Sequence, residues 1–274
     1  MYQGFYNLAS GMLTQSRNLN VISNNMVNVQ TAGYKSDTMV STTFGEEMLY
    51  RTGRQNKENP EALASVSKIK AADRTYVSYE QGSFEQTGGI YDFSLAGNGF
   101  FCIQTARGER YTRNGSFCVD EEGYLALEDQ GRVLSADGQP IQIQDENFRV
   151  DSRGNITSIQ REDGEDGENV EDVEDGENIE AGSVTYGRLK VVDFADYGQL
   201  RKEENGLFSS GAAPRDITDG STVVQWQSLE RSNVDMVEEM TAMMSSQRAL
   251  QSAAQALKMY DQVMSKAASD VGRL

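Results

Sequence analysis

The amino-acid sequence predicts an α+β fold, in which long N- and C-terminal coiled-coil helices pair together and flank a central all-β domain. A seven-residue apolar repeat runs through both ends of the chain, and this period is typical of helices that wind around one another. Between the ends, short alternating segments separated by glycines indicate strands and turns. We expect a helix over 1–30, an extended linker over 31–75, a β domain over 76–230 and a second helix over 231–274.

The N-terminal repeat predicts a helix over residues 3–28, with Gly33 as the residue that ends it. One apolar position recurs every seven residues, and a second, mostly apolar position follows each of these by three. The two series are Phe5, Met12, Leu19 and Met26, and Leu8, Gln15, Ile22 and Val29. Because such positions form a stripe along one side of a helix, this side is expected to pack against another helix.

Residues 31–75 are polar and weakly patterned. They are rich in Ser, Thr and Lys, so most of this segment is expected to be an extended linker. A short helical turn is expected around Phe44–Tyr50.

From Thr75 the apolar period changes to two, which predicts an all-β domain of short strands. Glycines separate the strands, as tight turns require. The predicted strands lie at 76–79, 93–95, 100–103, 116–119, 124–127, 149–150, 156–159, 189–192 and 222–225. Aromatic residues such as Tyr111 and Trp226 are expected in the core or at an interface.

A strongly acidic insert, residues 162–180, interrupts this domain. It holds 11 Asp and Glu and no basic residue, and EDGENVE at 165–171 returns as EDGENIE at 174–180. Clustered carboxylates suit calcium, but the spacing matches neither an EF-hand nor a calcium-binding β-roll. We favour the interpretation that the insert is a disordered, self-repelling surface loop.

The C-terminal repeat predicts the second long helix, beginning at Ser232-Asn233. Asn233 is expected to cap the helix, and Asp235, Glu238 and Glu239 favour the positive end of its dipole. The repeat consists of Met236, Met243, Leu250, Leu257, Met264 and Val271, each followed three positions later by Glu239, Ser246, Ala253, Tyr260, Ala267 or Leu274.

The two repeats leave two arrangements open. The helices could close on each other within one monomer, or they could also pack between chains. Gln15 and Ser246 weaken a closed pair, and Met236, Met240, Met243, Met244 and Met259 spread over roughly half the circumference of the second helix. We therefore favour packing between chains, through an assembly interface of Phe5, Leu8, Met12, Leu19, Ile22, Met26, Val29, Met236, Met243, Leu250, Leu257, Tyr260, Met264 and Val271.

No catalytic or cofactor constellation stands out in the sequence. The chain has no histidine, which removes the commonest general base and transition-metal ligand. Asp120 and Glu121 run into a turn at Gly123, where an Asp usually bonds its own backbone. The glycine-containing segment 97–99 lacks the Lys-Ser/Thr of a phosphate loop. We expect no enzymatic activity, no cofactor and no metal site.

Charge and cysteine use restrict the partners and the location. The net charge of −17 opposes binding to nucleic acid or to an anionic membrane surface. Cys102 and Cys118 sit in apolar, strand-like contexts, so buried thiols are expected in preference to a disulfide. The sequence has no run of about 18 apolar residues, so no membrane span is expected. The N-terminus lacks the basic start and apolar block of a cleaved secretory signal.

Three segments resemble the bacterial flagellar rod and hook protein family. LASGMLTQSRNLNVISNNMVNVQTAGYK is similar to its N-terminal motif, LAGNGFFCIQTARGERYTRNGSFCVDEEGYL to its β-domain core, and LERSNVDMVEEMTAMMSSQRAL to its C-terminal motif. The characteristic positions fall on Asn24, Asn25, Asn28, Gly33, Tyr34, Lys35, Ser232, Asn233, Val234, Gln247, Arg248 and Ala249. The length and the context GYKSD suggest a rod protein of the proximal or distal type.

The resemblance implies a structural subunit of the flagellar basal-body rod. Such a subunit would self-assemble into a helical tubular axle, with paired terminal helices lining an axial channel and the β domain outside, and would transmit motor torque to the hook. The implied partners are copies of itself, other rod and hook subunits, and the flagellar type III export apparatus. The implied location is the basal body, after export from the cytoplasm without a cleaved signal peptide. The acidic insert departs from the family pattern.

Two other classes of protein remain open at this point. A secreted β-rich adhesin or calcium-binding surface protein with helical ends would fold as a stable monomer and respond to calcium. A hydrolase that uses turn carboxylates would require a pocket with two converging acids.

Overall fold

The computed structural model describes residues 2–51, 61–145, 147–158, 184–203, 205–217 and 221–271, so the acidic insert lies outside the described residues. The chain forms two compact units. Unit 1 comprises Met1–Val29, Lys35–Glu80 and Val234–Leu274, and unit 2 comprises Gln30–Tyr34 and Gln81–Asn233. An N-terminal helix, a β-rich centre and a C-terminal helix confirm the predicted α+β class.

Unit 1 contains the two long helices, α1 (Tyr2–Val27) and α2 (Met236–Val271). The predicted cap of α2 is wrong by two residues. The carboxylate of Asp235 accepts the backbone N–H of Val237 at 2.8 Å and that of Glu238 at 3.2 Å, which satisfies the free amides of the first turn. The backbone N–H of Asn233 instead donates to the carbonyl of Tyr34 at 3.4 Å, so Asn233 precedes the helix.

The prediction of an extended linker over 31–75, with a helical turn near Phe44–Tyr50, is wrong. This segment contains two long antiparallel strands, β1 (Asp37–Arg51) and β2 (Glu61–Val77). Register shifts at Val40/Ser41 and at Leu49/Tyr50 interrupt the pairing. Each shift interrupts the regular pairing of the two backbones, so no continuous period of two marks this hairpin in the sequence.

Unit 2 consists of short antiparallel strands joined by tight turns. The strands are β3 (Phe84–Gln86), β4 (Phe93–Ala96), β5 (Phe100–Thr105), β6 (Gly108–Thr112), β7 (Cys118–Val119), β8 (Leu125–Leu127), β9 (Gly131–Val133), β10 (Phe148–Val150), β11 (Asn155–Ser158), β12 (Thr185–Arg188), β13 (Val191–Asp193), β14 (Leu200–Lys202), β15 (Phe208–Ser210), β16 (Arg215–Asp216), β17 (Val223–Trp226) and β18 (Ser228–Glu230). A single 3₁₀ turn, Tyr197–Gln199, appears among the described residues of this unit.

The largest sheet of the described chain has nine strands, with the main order β14-β15-β6-β5-β9-β8-β7 and with β13 paired to β5 and to β16. Strands β10, β11 and β12 form a second sheet, and β17 pairs with β4 and β18 with β3. The predicted strand at 76–79 is confirmed in part, because residues 76–77 form the end of β2, but it lies in unit 1 and does not open the β domain. The missed strands, such as β14 and β16, are short and carry few apolar residues.

Buried aliphatic and aromatic side chains from several strands hold unit 2 together. Phe101 and Phe117 contact edge to face with ring centroids 5.3 Å apart, and Phe93 packs on Phe117 at 5.7 Å. The core comprises Phe93, Leu95, Phe101, Ile103, Phe117, Leu125, Leu127, Val133, Ile141, Ile143, Phe148, Ile156, Leu189, Val191, Leu207 and Val224. Trp226 packs against this core and donates its indole N–H to the carbonyl of Ile90 at 2.8 Å, as expected for a core aromatic.

Candidate assembly helices and motif residues

The residues predicted for the assembly interface lie along α1 and α2 with graded burial. Ile22 is buried, whereas Phe5 and Met236 are exposed. Most of the others are partly buried: Leu8, Met12, Leu19, Met26, Val29, Met243, Leu250, Leu257, Tyr260 and Met264. The side chain of Val271 lies outside the described residues. Contacts within unit 1 therefore cover these side chains incompletely.

Helices α1 and α2 contact each other in an antiparallel arrangement. The amide of Asn25 donates to a carboxylate oxygen of Glu239 at 2.7 Å, and the amide of Asn18 donates to the hydroxyl of Ser246 at 3.3 Å. A methyl group added to Gly4 would lie 3.4 Å from the ring of Tyr260. Successive contacts are separated by 14 and then 7 residues on α1, and by the same steps on α2. The contacts therefore keep a single register along both helices.

Of the positions on α1 that make these contacts, Asn25 is a predicted motif residue, whereas Gly4 and Asn18 were missed in the sequence. Gly4, Asn18 and Asn25 each come one residue before a member of the predicted apolar stripe, and they share its seven-residue spacing. The seven-residue spacing of these small and amide side chains could have identified them. A search for apolar residues alone does not include such side chains. On α2 the contacts come from the predicted second series, at positions such as Glu239 and Ser246.

A further stripe of α1 is exposed to solvent. Tyr6, Leu13 and Val27 have 63%, 59% and 80% of their surfaces accessible, and with Asn20 they repeat every seven residues. We call these four residues the outer stripe. The exposed surface of a soluble helix is usually charged, yet Arg17 is the sole charged residue among the 26 of α1.

Helix α2 also exposes apolar side chains. Val237, Met240 and Met244 are spaced three and four residues apart, so they share one side of the helix, and all three are exposed. We call these three residues the outer face of α2. Met259 and Val263 are exposed nearer the C-terminus. The prediction that methionines leave α2 with additional apolar surface is confirmed for Met236, Met240, Met244 and Met259.

Asn25 connects three elements of unit 1. Its side chain is buried, and its amide nitrogen donates to the carbonyl of Asp37 at 2.8 Å as well as to Glu239. Its amide oxygen accepts the backbone N–H of Asp37 at 2.9 Å. The side chain therefore joins α1 to the start of β1 and to α2. The neighbouring Asn24 is exposed and accepts a hydrogen bond from the amide of Asn28 at 3.1 Å, within the same helix turn.

Gly33 and Tyr34 belong to unit 2 and are both buried. The backbone N–H of Gly33 donates to the carbonyl of Glu230 at 2.7 Å. Gly33 has φ +65°, and a Cβ there would lie 2.2 Å from the backbone carbon of Arg113, so only glycine fits. The ammonium group of Lys202 lies 3.8 Å from the ring centroid of Tyr34, which is a cation–π contact.

The other motif residues differ in exposure. Lys35, in unit 1, is 1% exposed and donates its ammonium hydrogen to the carbonyl of Glu80 at 2.7 Å. Ser232 and Asn233 are partly buried. Gln247 and Arg248 are exposed on α2. Tyr34 and Asn233 are joined by a hydrogen bond in unit 2, and the other motif positions are distributed over both units.

The carboxylates singled out in the sequence act as turn residues. One oxygen of Asp120 accepts the backbone N–H groups of Glu122 at 3.0 Å and Tyr124 at 2.8 Å, as predicted for a turn aspartate. Its other oxygen pairs with Arg132 at 2.7 Å. The bond from Tyr124 is the main reason that the pKa of Asp120 is lowered. Among the described residues no group of three or more acidic, His or Cys side chains is placed to hold a metal ion.

Both cysteines are free thiols, but only one is buried as expected. Cys102 lies inside strand β5, and burial raises the pKa of its thiol to about 12. Cys118 is exposed, because it lies on β7, a two-residue strand at the end of the main sheet order. In the part of the chain that the structure describes, no helix is long and apolar enough to cross a membrane.

Three family models match separate parts of the chain. The model described as flagella basal body rod protein matches residues 5–35, which cover most of α1. The flagellar hook protein FlgE/F/G D1 domain matches residues 94–158 in unit 2. The flagellar basal body rod FlgEFG protein C-terminal model matches residues 226–270, which include most of α2.

Full-length relatives support the same assignment. The chain is 30% identical over 269 residues to the flagellar basal-body rod protein FlgF of Caulobacter vibrioides, covering 97% of this chain and 95% of the relative. It is 27% identical over 295 residues to the flagellar hook-basal body complex protein FlhO of Bacillus subtilis, covering 100% of both. It is 29% identical over 280 residues to FlgG of Bacillus subtilis, covering 96% of this chain and 97% of the relative.

The matches cover the helix at each end and the β-rich centre, in the order in which the sequence resemblance placed them. They give no support to an adhesin or a calcium-binding surface protein. The chain therefore belongs to the flagellar basal-body rod and hook protein family, as a structural subunit of the rod.

Proposed function

We propose that this subunit self-assembles, through α1 and α2, into a helical tubular axle that transmits motor torque to the hook. The observation that carries the proposal is the outer stripe, an exposed apolar row at Tyr6, Leu13 and Val27 on a nearly uncharged helix. An exposed apolar row of this kind is typical of a surface that binds another protein. In this role the chain acts as a structural element and not as an enzyme.

The contacts within unit 1 support coiled-coil pairing of the two terminal helices. Asn18 and Asn25 meet Ser246 and Glu239 at a step of seven residues on both helices. An undistorted helix drifts by about 20° per seven residues, so a constant step of seven favours gentle supercoiling. The proposed pairing of α1 with α2 leaves the outer stripe of α1 and the outer face of α2 available for contacts with neighbouring chains.

A second copy of this chain is the proposed occupant of the outer stripe. Tyr6, Leu13 and Val27 present apolar side chains without charge, and Val237 and Met244 on α2 offer a matching apolar surface. The flexible thioether side chains of methionine adapt to several neighbours, as a helical lattice requires. Other rod and hook subunits are proposed to meet the same surfaces at the two ends of the rod.

The proposed location is the basal body, reached by export through the flagellar type III apparatus without a cleaved signal peptide. The relatives named above are basal-body proteins, which supports the location. Cys102 and Cys118 are free thiols, so no disulfide between them would hinder the passage of an unfolded chain. Together with the rod and hook subunits, the export apparatus completes the set of proposed partners.

Replacing Leu13 in a strain that lacks the native gene tests the proposal. Leu13→Asp places an unpaired carboxylate in the proposed interface of every subunit, at a cost of several kcal/mol each. We expect loss of swimming and no rod beyond this subunit, with unit 2 still folded. Ala136→Asp is the matched control, because it adds the same charge at an exposed turn of unit 2. Motile cells with complete rods in the Leu13→Asp strain would contradict the proposal.

A further inference from the structure

Unit 2 contains a buried ion pair between Arg113 and Glu230. Their side chains are 5% and 0% exposed, and the guanidinium nitrogen Nη1 lies 3.2 Å from Oε2 of Glu230. Arg113 also donates from Nη2 to the carbonyl of Gly97 at 2.8 Å and from Nη1 to that of Leu95 at 3.4 Å. A buried pair of this kind is costly unless its polar atoms are also bonded. Nη1 and Nη2 of Arg113 are bonded, whereas its Nε is buried without a hydrogen-bond partner, so Nη1 and Nη2 determine the position of the guanidinium group.

Glu230 bonds to two segments that are distant in sequence. Its Oε1 accepts the backbone N–H of Gly82 at 3.0 Å, and its own carbonyl accepts the backbone N–H of Gly33 at 2.7 Å. We call residues 30–34, 81–83 and 230–233 the junction segments, since the chain enters or leaves unit 2 at each of them. Glu230 lies in one junction segment and holds the other two.

Two glycines allow close backbone approach: Gly82 to another junction segment, and Gly33 to Arg113 of the ion pair. A Cβ on Gly82 would lie 2.0 Å from the carbonyl oxygen of Arg231, and a Cβ on Gly33 would lie 2.2 Å from the backbone carbon of Arg113. The backbone N–H of Arg231 in turn donates to the carbonyl of Ser83 at 2.8 Å. Segments 30–34 and 81–83 thus each contact the backbone of segment 230–233, which carries Glu230 of the ion pair.

We propose that Glu230 is the positioning residue of this junction, with Arg113 as its fixed counter-ion. Glu230 aligns the three junction segments with one another, so that a force applied to any one of them is shared by all three. The sharing of load rests on the proposed function, whereas the alignment is a property of the isolated chain. The alignment assigns a structural role to Arg113 and Glu230, two residues that the apolar pattern of the sequence does not identify.

Amide hydrogen exchange on the full-length protein tests the alignment, independently of rod assembly. In Glu230→Ala, we expect exchange at Gly82 and at Gly33 to accelerate at least about tenfold relative to Ile103 in β5. The response of Gly33 is the decisive one, because its acceptor is the backbone carbonyl of Glu230, which the substitution leaves in place. If Gly82 alone accelerates, Glu230 merely caps that amide and the proposal is wrong.

Three further variants distinguish a positioning role of Glu230 from the effect of leaving a buried charge without its partner. In Arg113→Met/Glu230→Met, which buries no charge, we expect the thermal transition to recover towards the wild-type value while Gly33 still exchanges fast. Recovery of Gly33 protection in this double variant would overturn the proposal. If Glu230→Ala fails to fold, Glu230→Gln replaces it: this variant removes the charge that faces Arg113 but keeps an acceptor for Gly82, so exchange at Gly33 is its readout and should still accelerate. Glu122→Ala is the control, since it breaks the exposed pair with Arg132 and should leave both glycine amides unchanged.

Discussion

Single polar side chains connect the elements of unit 1, and Asn25 is the clearest case. It makes two hydrogen bonds with the backbone of Asp37 and one with Glu239. The side chain is buried, so no water replaces a lost partner at low cost. Asn25 thereby determines where the chain turns from α1 into β1, in a part of the sequence that has no apolar period.

Replacing Asn25 by alanine should destabilise this connection. We expect Asn25→Ala to lower the local free energy of unfolding by about 2–4 kcal/mol, since three hydrogen bonds are lost and buried groups are left without partners. Hydrogen exchange at the backbone amide of Asp37 measures this local free energy of unfolding directly. Asn24→Ala is the control, because Asn24 is exposed and should change the value by about 0.5 kcal/mol or less. Equal effects of the two substitutions would contradict the role given to Asn25.

The two cysteines should differ in reactivity. The pKa of Cys102 is raised by burial to about 12 from its ordinary value of 9.0, so its thiol stays protonated and inaccessible at neutral pH. Cys118 is exposed, and burial and then Glu128 raise its pKa as well. We expect a thiol reagent at about pH 8.5 to modify Cys118 first in the native protein, detected by mass spectrometry. Modification of Cys102 at the same rate would show that β5 is not buried as described.

The raised pKa of Cys102 also predicts how stability depends on pH. The folded state holds the thiol proton more tightly than the unfolded state, so this contribution is fully present below pH 9.0 and is lost as the pH rises towards 12. Cys102→Ala should remove this part of the alkaline loss of stability. Denaturant unfolding of the variant and of the wild type across that range provides the comparison.

At the scale of elements, the two sides of each terminal helix are expected to have different functions. Leu19 and Leu257 belong to the predicted stripe and are partly buried within unit 1, whereas Leu13 is exposed. Leu19 and Leu257 should therefore contribute to the stability of the isolated chain. Leu13 should contribute to assembly alone.

Aspartate substitutions can distinguish these two functions. We expect Leu19→Asp and Leu257→Asp to lower the thermal stability of unit 1 in the isolated protein, because a carboxylate in a partly buried site lacks a partner. Leu13→Asp should leave that stability within about 0.5 kcal/mol of the wild type and still block rod formation. All three substitutions should abolish motility while unit 2 remains folded. If Leu13→Asp unfolds the isolated helices, the division between the two sides is wrong.

The sequence predicts elements well where one period runs without interruption. The seven-residue repeats give both helices to within a few residues, and short apolar segments bounded by glycines give strands such as β4 and β5. The hairpin of β1 and β2 was missed, because two register shifts break its alternation. The links made by Asn25 and Glu230 were missed for another reason. They join residues 214 and 117 positions apart through polar atoms, and such contacts leave no local period in the sequence.

At the scale of the whole molecule, the acidic insert is expected to be dispensable. It lies between β11 and β12, which pair with each other, and the backbone N–H of Ser158 donates to the carbonyl of Val184 at 2.8 Å. The two ends of the segment are therefore adjacent, so a short turn can replace residues 162–180. The deletion would change the net charge from −17 to −6, because the insert holds 11 carboxylates and no basic residue.

We expect this deletion to leave the thermal transition of unit 2 almost unchanged. The insert should act as a charged fringe, whose influence extends over about 8–10 Å at physiological salt. Its carboxylates lack the fixed spacing with which calcium collects about six or more oxygens. Titration calorimetry with calcium on the two proteins gives the second comparison. Micromolar affinity that disappears on deletion would revive a calcium-binding role.

The central claim is that α1 and α2 pack between copies of this subunit to build the rod. Electron cryo-microscopy of basal bodies that contain this chain tests this packing most directly. We expect helical subunit order, with Tyr6, Leu13 and Val27 of one copy covered by helix α2 of a neighbour. A map in which these three side chains face solvent, or in which the chain is absent from the rod, would contradict the claim.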